Sequence, residues 1–182
     1  MKNINFAFLI ILCCTILPGC KKWFEGTNYN ELPPITTSGK NTFGCKVNGQ
    51  VWVPKGYLGT PGLAFDLDYG INDGTFNIAA VRRESSNQES GIAVSGDGLN
   101  TLTYPTTVSL SSKSLFLLKY FMVRPDYCET NTKDSLVFVD GKITITKLDK
   151  VNRIFAGTFQ AKLRSNECGP IDITDGMFDI SF

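Results

Sequence analysis

The chain has 182 residues, with 18 basic and 17 acidic side chains, no histidine and a formal net charge of +1 at pH 7. That near-balance leaves no basic excess to neutralise phosphates, so no nucleic-acid partner is expected. The missing imidazole removes Ser-His-Asp and Cys-His catalysis and the commonest zinc ligand together, and no cofactor is expected.

The chain opens with Lys2 and an apolar run over 6–17, followed by Leu17-Pro18-Gly19-Cys20. A membrane-spanning helix needs roughly 20 apolar residues to cross about 30 Å of hydrocarbon, so this run is too short to span. A positive start, a short apolar segment and a small residue before cysteine resemble a bacterial lipoprotein signal. Residues 1–19 are therefore expected to be the signal, and Cys20 the acylated N-terminus of the mature chain. The alternative is an ordinary secretory signal cut after Gly19. The membrane is then a partner through the lipid anchor. Lys21, in place of an Asp after the lipid cysteine, points by analogy to the outer membrane, on its periplasmic face or at the cell surface. Loss of Lys2 with the signal leaves 17 basic and 17 acidic side chains.

Residues 20–40 read as the lipidated terminus and a flexible tether. Asn, Thr, Gly and Ser dominate, Pro33-Pro34 stiffens the middle, and nothing repeats at helical or strand period. Twenty such residues span roughly 25 Å r.m.s.. Residues 41–182 read as a single β-domain.

Of the six cysteines, Cys13 and Cys14 leave with the signal and Cys20 is the lipid site. Cys128 and Cys168 lie in polar, turn-rich stretches (PDYCE and NECGP), whereas Cys45 lies inside a strand-like segment. Outside the cytoplasm this pattern favours a Cys128–Cys168 disulfide with Cys45 as a small buried hydrophobe. The alternative is three unpaired thiols.

The first hairpin signal is Phe43-Gly44-Cys45-Lys46-Val47, Asn48-Gly49, Gln50-Val51-Trp52-Val53. Asn-Gly suits a type I′ turn, which needs φ > 0 at both central residues. It pairs Val47 with Gln50 and Cys45 with Trp52, placing Phe43, Cys45, Val47 and Trp52 on one face. Strands of weaker pattern follow over 63–69, 76–82, 92–95, 106–110 and 114–123, the last expected to be buried on both faces. A second hairpin is expected over 135–146, turning at Asp140-Gly141 and pairing Phe138 with Ile143 and Leu136 with Ile145. A strand over 153–163 returns after the loop 149–152, with Gly157 marking a bulge. Ile173-Thr174-Asp175-Gly176 reads as a tight turn feeding a last strand in which Phe178, Ile180 and Phe182 point one way. About ten short strands without helical periodicity predict an all-β fold, an antiparallel β-sandwich with a β-barrel as the alternative.

Three segments, 42–54 (TFGCKVNGQVWVP), 141–159 (GKITITKLDKVNRIFAGTF) and 173–180 (ITDGMFDI), resemble a set of uncharacterised small lipoproteins of Bacteroidetes-type bacteria. With the signal they cover under half the chain, in the expected order. The resemblance implies a membrane-anchored β-domain and offers no activity, since none is established for the family. Cys45 matches the family's early cysteine, and Cys128 and Cys168 its later turn cysteines. Met177 stands where the family pattern carries Arg.

The remaining polar clusters are read first as structure. Asp66-Leu67-Asp68, Asn72-Asp73-Gly74 and Asp97-Gly98 are oxygen-rich but lack EF-hand spacing and a closing Glu, so turns are expected in place of calcium ligands. Ser85-Ser86 and Ser111-Ser112 have no base to activate them. Arg82-Arg83-Glu84 reads as a solvated strand end. Tyr57, Tyr69, Tyr104, Tyr120 and Tyr127 would form a sugar-stacking platform if several shared an exposed face; otherwise they are half-buried sandwich residues. The expected function is that of a lipid-anchored, non-enzymatic structural or interaction protein, with a surface glycan or a protein as partner. The alternatives are a carbohydrate- or peptide-binding surface module and, third, a small carboxylate-based hydrolase.

Overall fold

The computed structural model describes residues 28–56, 62–124 and 126–182. The signal, Cys20, the tether up to residue 27 and Tyr57 lie outside the described residues. Among the described residues eleven strands run in chain order: β1 (Thr42–Val47), β2 (Gln50–Trp52), β3 (Leu63–Asp68), β4 (Thr75–Ser85), β5 (Gln88–Gly96), β6 (Thr106–Ser109), β7 (Phe116–Arg124), β8 (Cys128–Asn131), β9 (Phe138–Asp149), β10 (Ile154–Ser165) and β11 (Gly169–Ser181). They form a six-stranded sheet, β2-β1-β11-β10-β9-β6, and a five-stranded sheet, β3-β4-β5-β7-β8. Neither sheet closes on itself. The fold is the expected antiparallel β-sandwich and not the alternative barrel.

The first hairpin forms in the predicted register, Val47 opposite Gln50 and Cys45 opposite Trp52. Asn48 and Gly49 both take positive φ, 50° and 81°. The Phe43 ring meets the Trp52 indole edge-on at 6.2 Å. After Trp52 the chain leaves the six-stranded sheet, and Lys55 bridges Arg82 of β4 in the other.

The second hairpin does not form. Asp140-Gly141 continues β9, with Asp140 opposite Lys162 and Gly141 opposite Ala161. Phe138 faces Leu163, Ile143 faces Phe159, and Leu136 is left 93% exposed outside the sheet. Gly141 serves close approach and not a turn, since a Cβ there would stand 2.9 Å from the Gln160 carbonyl oxygen. Val139 is an extra residue between the Phe138 and Asp140 pairings. This bulge reverses the inward–outward phase just as a two-residue turn would, and so Phe138 and Ile143 still point to the same core.

Two further expectations change in the same way. Asp175, with φ 51°, is an extra residue within β11 against both neighbours, Gly44–Lys46 on one side and Phe159–Ala161 on the other. The segment 173–176 is thus a bulge inside a long strand and not a turn, braced by the Lys46–Asp175 ion pair at 2.9 Å. β7 buries only one side: Phe116, Leu118 and Tyr120 are buried while Leu117 and Phe121 are half-buried, because no third layer covers the outer face. The bulge expected at Gly157 is present, Thr146 of β9 being the extra residue opposite it.

The core is an aromatic cluster centred on Phe155, whose ring lies 4.9 Å from Phe76, 5.2 Å from Phe178 and 5.7 Å from Phe65. It joins β10 and β11 of one sheet to β3 and β4 of the other. The Cys128 and Cys168 sulfurs stand at bonding distance, their Cα atoms 5.4 Å apart across 40 residues of sequence. The pair ties β8, an edge of the five-stranded sheet, to the β10–β11 turn of the six-stranded one. Cys45 is buried and unpaired, and burial pushes its thiol well above the ordinary range.

Phe155→Ala should cost about 3–5 kcal/mol, because the emptied site is walled by three other rings; urea denaturation measures it. On the unreduced, denatured chain from residue 20 carrying Cys20→Ser, thiol titration should find Cys45 alone. Three reactive thiols would remove the cross-sheet bridge.

Candidate functional site: an N-terminal strap and two clefts

Residues 28–41, expected within or beside the tether, lie along β1 and β11 as an ordered strap. Its hold is the carboxylate of Asp179, which is fully buried. The Thr36 hydroxyl donates to Asp179 Oδ2 at 2.5 Å, and the backbone N–H groups of Ser38 and Lys40 donate to the same oxygen at 3.1 and 3.2 Å. The Gly39 N–H donates to Oδ1 at 2.7 Å. Gly39 has φ 71°, and its missing Cβ would meet Ser181 Cβ at 3.0 Å, so the strap can turn tightly onto the strand. Farther along, Pro33 lies where a Cβ on Gly44 would be, 2.9 Å from its Cδ. Burial raises the Asp179 pKa, but the Thr36, Gly39, Ser38 and Lys40 hydrogen bonds outweigh that effect, and the carboxyl is held below its usual range.

The strap forms one wall of the larger cleft, about 920 Å³, at the open side of the sandwich. Leu32, Phe43, Leu63, Phe65, Ile180 and Phe182 give it an apolar lining, and Glu31, Asp66 and Arg153 are its charged residues among those described. The Arg153 guanidinium lies over the Phe182 ring at 5.9 Å.

A smaller groove of about 460 Å³ lies by the β1–β2 and β4–β5 turns, lined by Gln50, Trp52, Arg82, Glu84, Gln88, Glu89, Ser90 and Tyr120 among others. The Trp52 Nε1–H donates to Ser90 Oγ at 3.0 Å. The carboxylates here are cation-held. Glu84 pairs with Arg82 and with Lys55, the latter at 3.1 Å, and Glu89 pairs with Arg83 at 2.6 Å. Burial raises the Glu84 pKa, yet the Lys55 and Arg82 hydrogen bonds leave the net shift downward. A glycosidase acid needs the opposite shift, so Glu84 is not poised as one. Arg82 is less solvated than a strand end requires: it also donates to the carbonyls of Tyr29 and Val53, at 3.3 and 3.4 Å.

Asn72-Asp73-Gly74 and Asp97-Gly98 are turns, whereas Asp66-Leu67-Asp68, expected as a turn, is the end of β3, paired with β4. Asn72 and Asp73 take left-handed φ of 49° and 55°, Asp68 Oδ1 accepts the Gly70 N–H at 2.7 Å, and the Asn72 carbonyl accepts the Gly98 N–H. Among the described residues no three acidic, Cys or His side chains gather as metal ligands. The four described tyrosines of that set do not make one platform. Tyr69 lies under Lys150 at 4.2 Å, the Tyr104 hydroxyl donates to the Leu99 carbonyl at 2.6 Å, Tyr120 is buried, and Tyr127 is exposed beside Glu129. The sequence reading missed Asp179, the strap and the free edge of β3. Comparison of the chain with protein-family models, curated proteins and solved structures finds no match.

A carboxyl whose pKa falls on folding stabilises the fold above its unfolded value, near 3.9, and that contribution is lost as pH falls through the native value. Asp179→Asn should therefore cost about 2 kcal/mol or more at pH 7. The gap from the parent should close as the medium is taken below about pH 4. Urea midpoints at several pH values check both; a gap that stays constant would remove the carboxylate's role.

Proposed function

We propose that the chain is a lipid-anchored interaction module displayed outside the cytoplasm, attached to the outer membrane and without a catalytic role. The observation that carries this reading is the strap. The signal pattern marks Cys20 for acylation, and Asn28 follows it by only eight positions, a reach of at most about 28 Å. Because Asp179 holds 36–40 in place, the β-domain is presented in a restricted range of orientations, with its apolar cleft beside the attached end. Such an arrangement suits a protein that holds a partner near a membrane.

A second reading, a glycan subsite, draws support from the smaller groove. There the Gln50 and Gln88 amides and the Glu89 carboxylate stand beside Trp52 and Ser90, a set able to meet several hydroxyls at once. A glycan array separates the two readings: binding that disappears in Gln50→Ala with Gln88→Ala would favour the glycan.

The anchor is tested in a bacterial host with labelled palmitate. Globomycin should leave a larger precursor, and Cys20→Ser should abolish labelling and release the chain to the soluble fraction. An unchanged precursor, or label retained by the variant, would overturn the anchor.

A further inference from the structure

We propose that the free edge of β3 is a docking site for an extended polypeptide of alternating apolar and basic residues, added as a sixth strand to the five-stranded sheet. This rests on the interaction-module reading and names the chemistry of its partner.

The phase of the β3–β4 ladder sets which backbone groups are free. The Val81 N–H donates to the Gly62 carbonyl at 2.6 Å, and Leu63 to Asp68 pair in steady register with Ala80 to Thr75. Hydrogen-bonded and non-bonded pairs alternate along an antiparallel ladder, so Ala64, Asp66 and Asp68 bond to β4. The N–H and C=O groups of Leu63, Phe65 and Leu67 point away from it, to the sheet's edge. Edge strands are usually shortened, bulged or covered. The opposite edge, β8, is tied to the other sheet through Cys128 and Cys168. The β3–β4 ladder has no bulge, β3 has no tie among the described residues, and its edge opens on the apolar cleft.

The side chains specify what would pair there. Leu63, Phe65 and Leu67 pack on the core but remain half-exposed in the cleft. Ala64 and Asp66 are exposed on the other face. In a directly opposed pair both side chains lie on one face. Residues bonded to the free groups of 63, 65 and 67 would therefore place their side chains into the cleft and should be apolar. Their neighbours would stand beside Asp66 and should be basic; among the described residues Asp66 has no ion-pair partner. Like charge argues against a second copy as occupant, since two antiparallel β3 edges would bring the Asp66 and Asp68 carboxylates of both chains onto one face. Main-chain pairing with alternating side-chain pockets is a general mode of peptide recognition.

The test uses the chain from residue 20 carrying Cys20→Ser, so that its outcome is independent of the anchor. The probe is the blocked heptapeptide Lys-Val-Lys-Val-Lys-Val-Lys. At saturation, amide exchange at Leu63, Phe65 and Leu67 should slow about tenfold or more, with Ala64 and Asp66 unchanged. N-methylation of the three valine nitrogens, or replacement of lysine by glutamate, should weaken binding by about tenfold or more. Asp66→Lys, an exposed change that spares the core, should reverse the preference between the lysine and glutamate peptides. The proposal is overturned by no binding of the lysine peptide, by equal binding of the N-methylated one, by protection appearing elsewhere, or by edge protection that comes from self-association without peptide. Any of these leaves an anchored module whose partner has another chemistry, whereas failure of the palmitate test leaves the strand-addition site standing.

Discussion

One buried carboxylate, without a counter-cation among the described residues, organises the side of this molecule that carries the apolar cleft. Burying an ionised group is costly unless hydrogen bonds replace its water, and Asp179 receives four of them from a single stretch of five residues. Their arrangement leaves the 36–40 backbone little choice of path. The strap in turn explains why β11 is buried on both faces near its end: Met177 and Asp179 are as inaccessible as Phe178 and Ile180. It also supplies the outer wall of the apolar cleft.

The rest of the architecture decides which surfaces remain available. The aromatic cluster around Phe155 locks the sheets face to face, and the Cys128–Cys168 pair closes the β8 side. The strap covers the β1–β11 face, and Arg82 secures the strap's start through the Tyr29 carbonyl. Among the described residues the five-stranded sheet keeps one edge without a tie, β3, with its half-covered Leu63, Phe65 and Leu67. An uncovered apolar edge is an aggregation hazard, and the charge of Asp66 on the neighbouring face limits self-pairing without closing the site to a basic strand.

Much of this fold is legible in the residues, and the failures share one cause. Strict alternation identified every strand with a clean period, and Asn48-Gly49 gave the correct register because a type I′ turn leaves no freedom. Asp140-Gly141 carries the same signal, yet there a bulge at Val139 produces the same phase reversal inside a continuous strand. Period-two patterning cannot tell the two apart, and the choice depends on whether β10 offers a partner across the whole length. Asp175-Gly176 misled in the same way. Asp179 was invisible for a different reason: between Phe178 and Ile180 it reads as an ordinary outward residue, and its burial is created by a segment 140 positions away. The Ser38, Gly39 and Lys40 N–H groups all donate to that carboxylate, and Gly39, at φ 71°, is the one local hint that they converge.

The most direct test of the central claim is native-state amide exchange at Ser38 and Gly39 near neutral pH. If the carboxylate of Asp179 fixes the strap, both amides exchange as slowly as that of Phe178 in the strand beneath. Exchange at the rate of an unstructured chain, with Phe178 still protected, would show that the segment is a free tether after all.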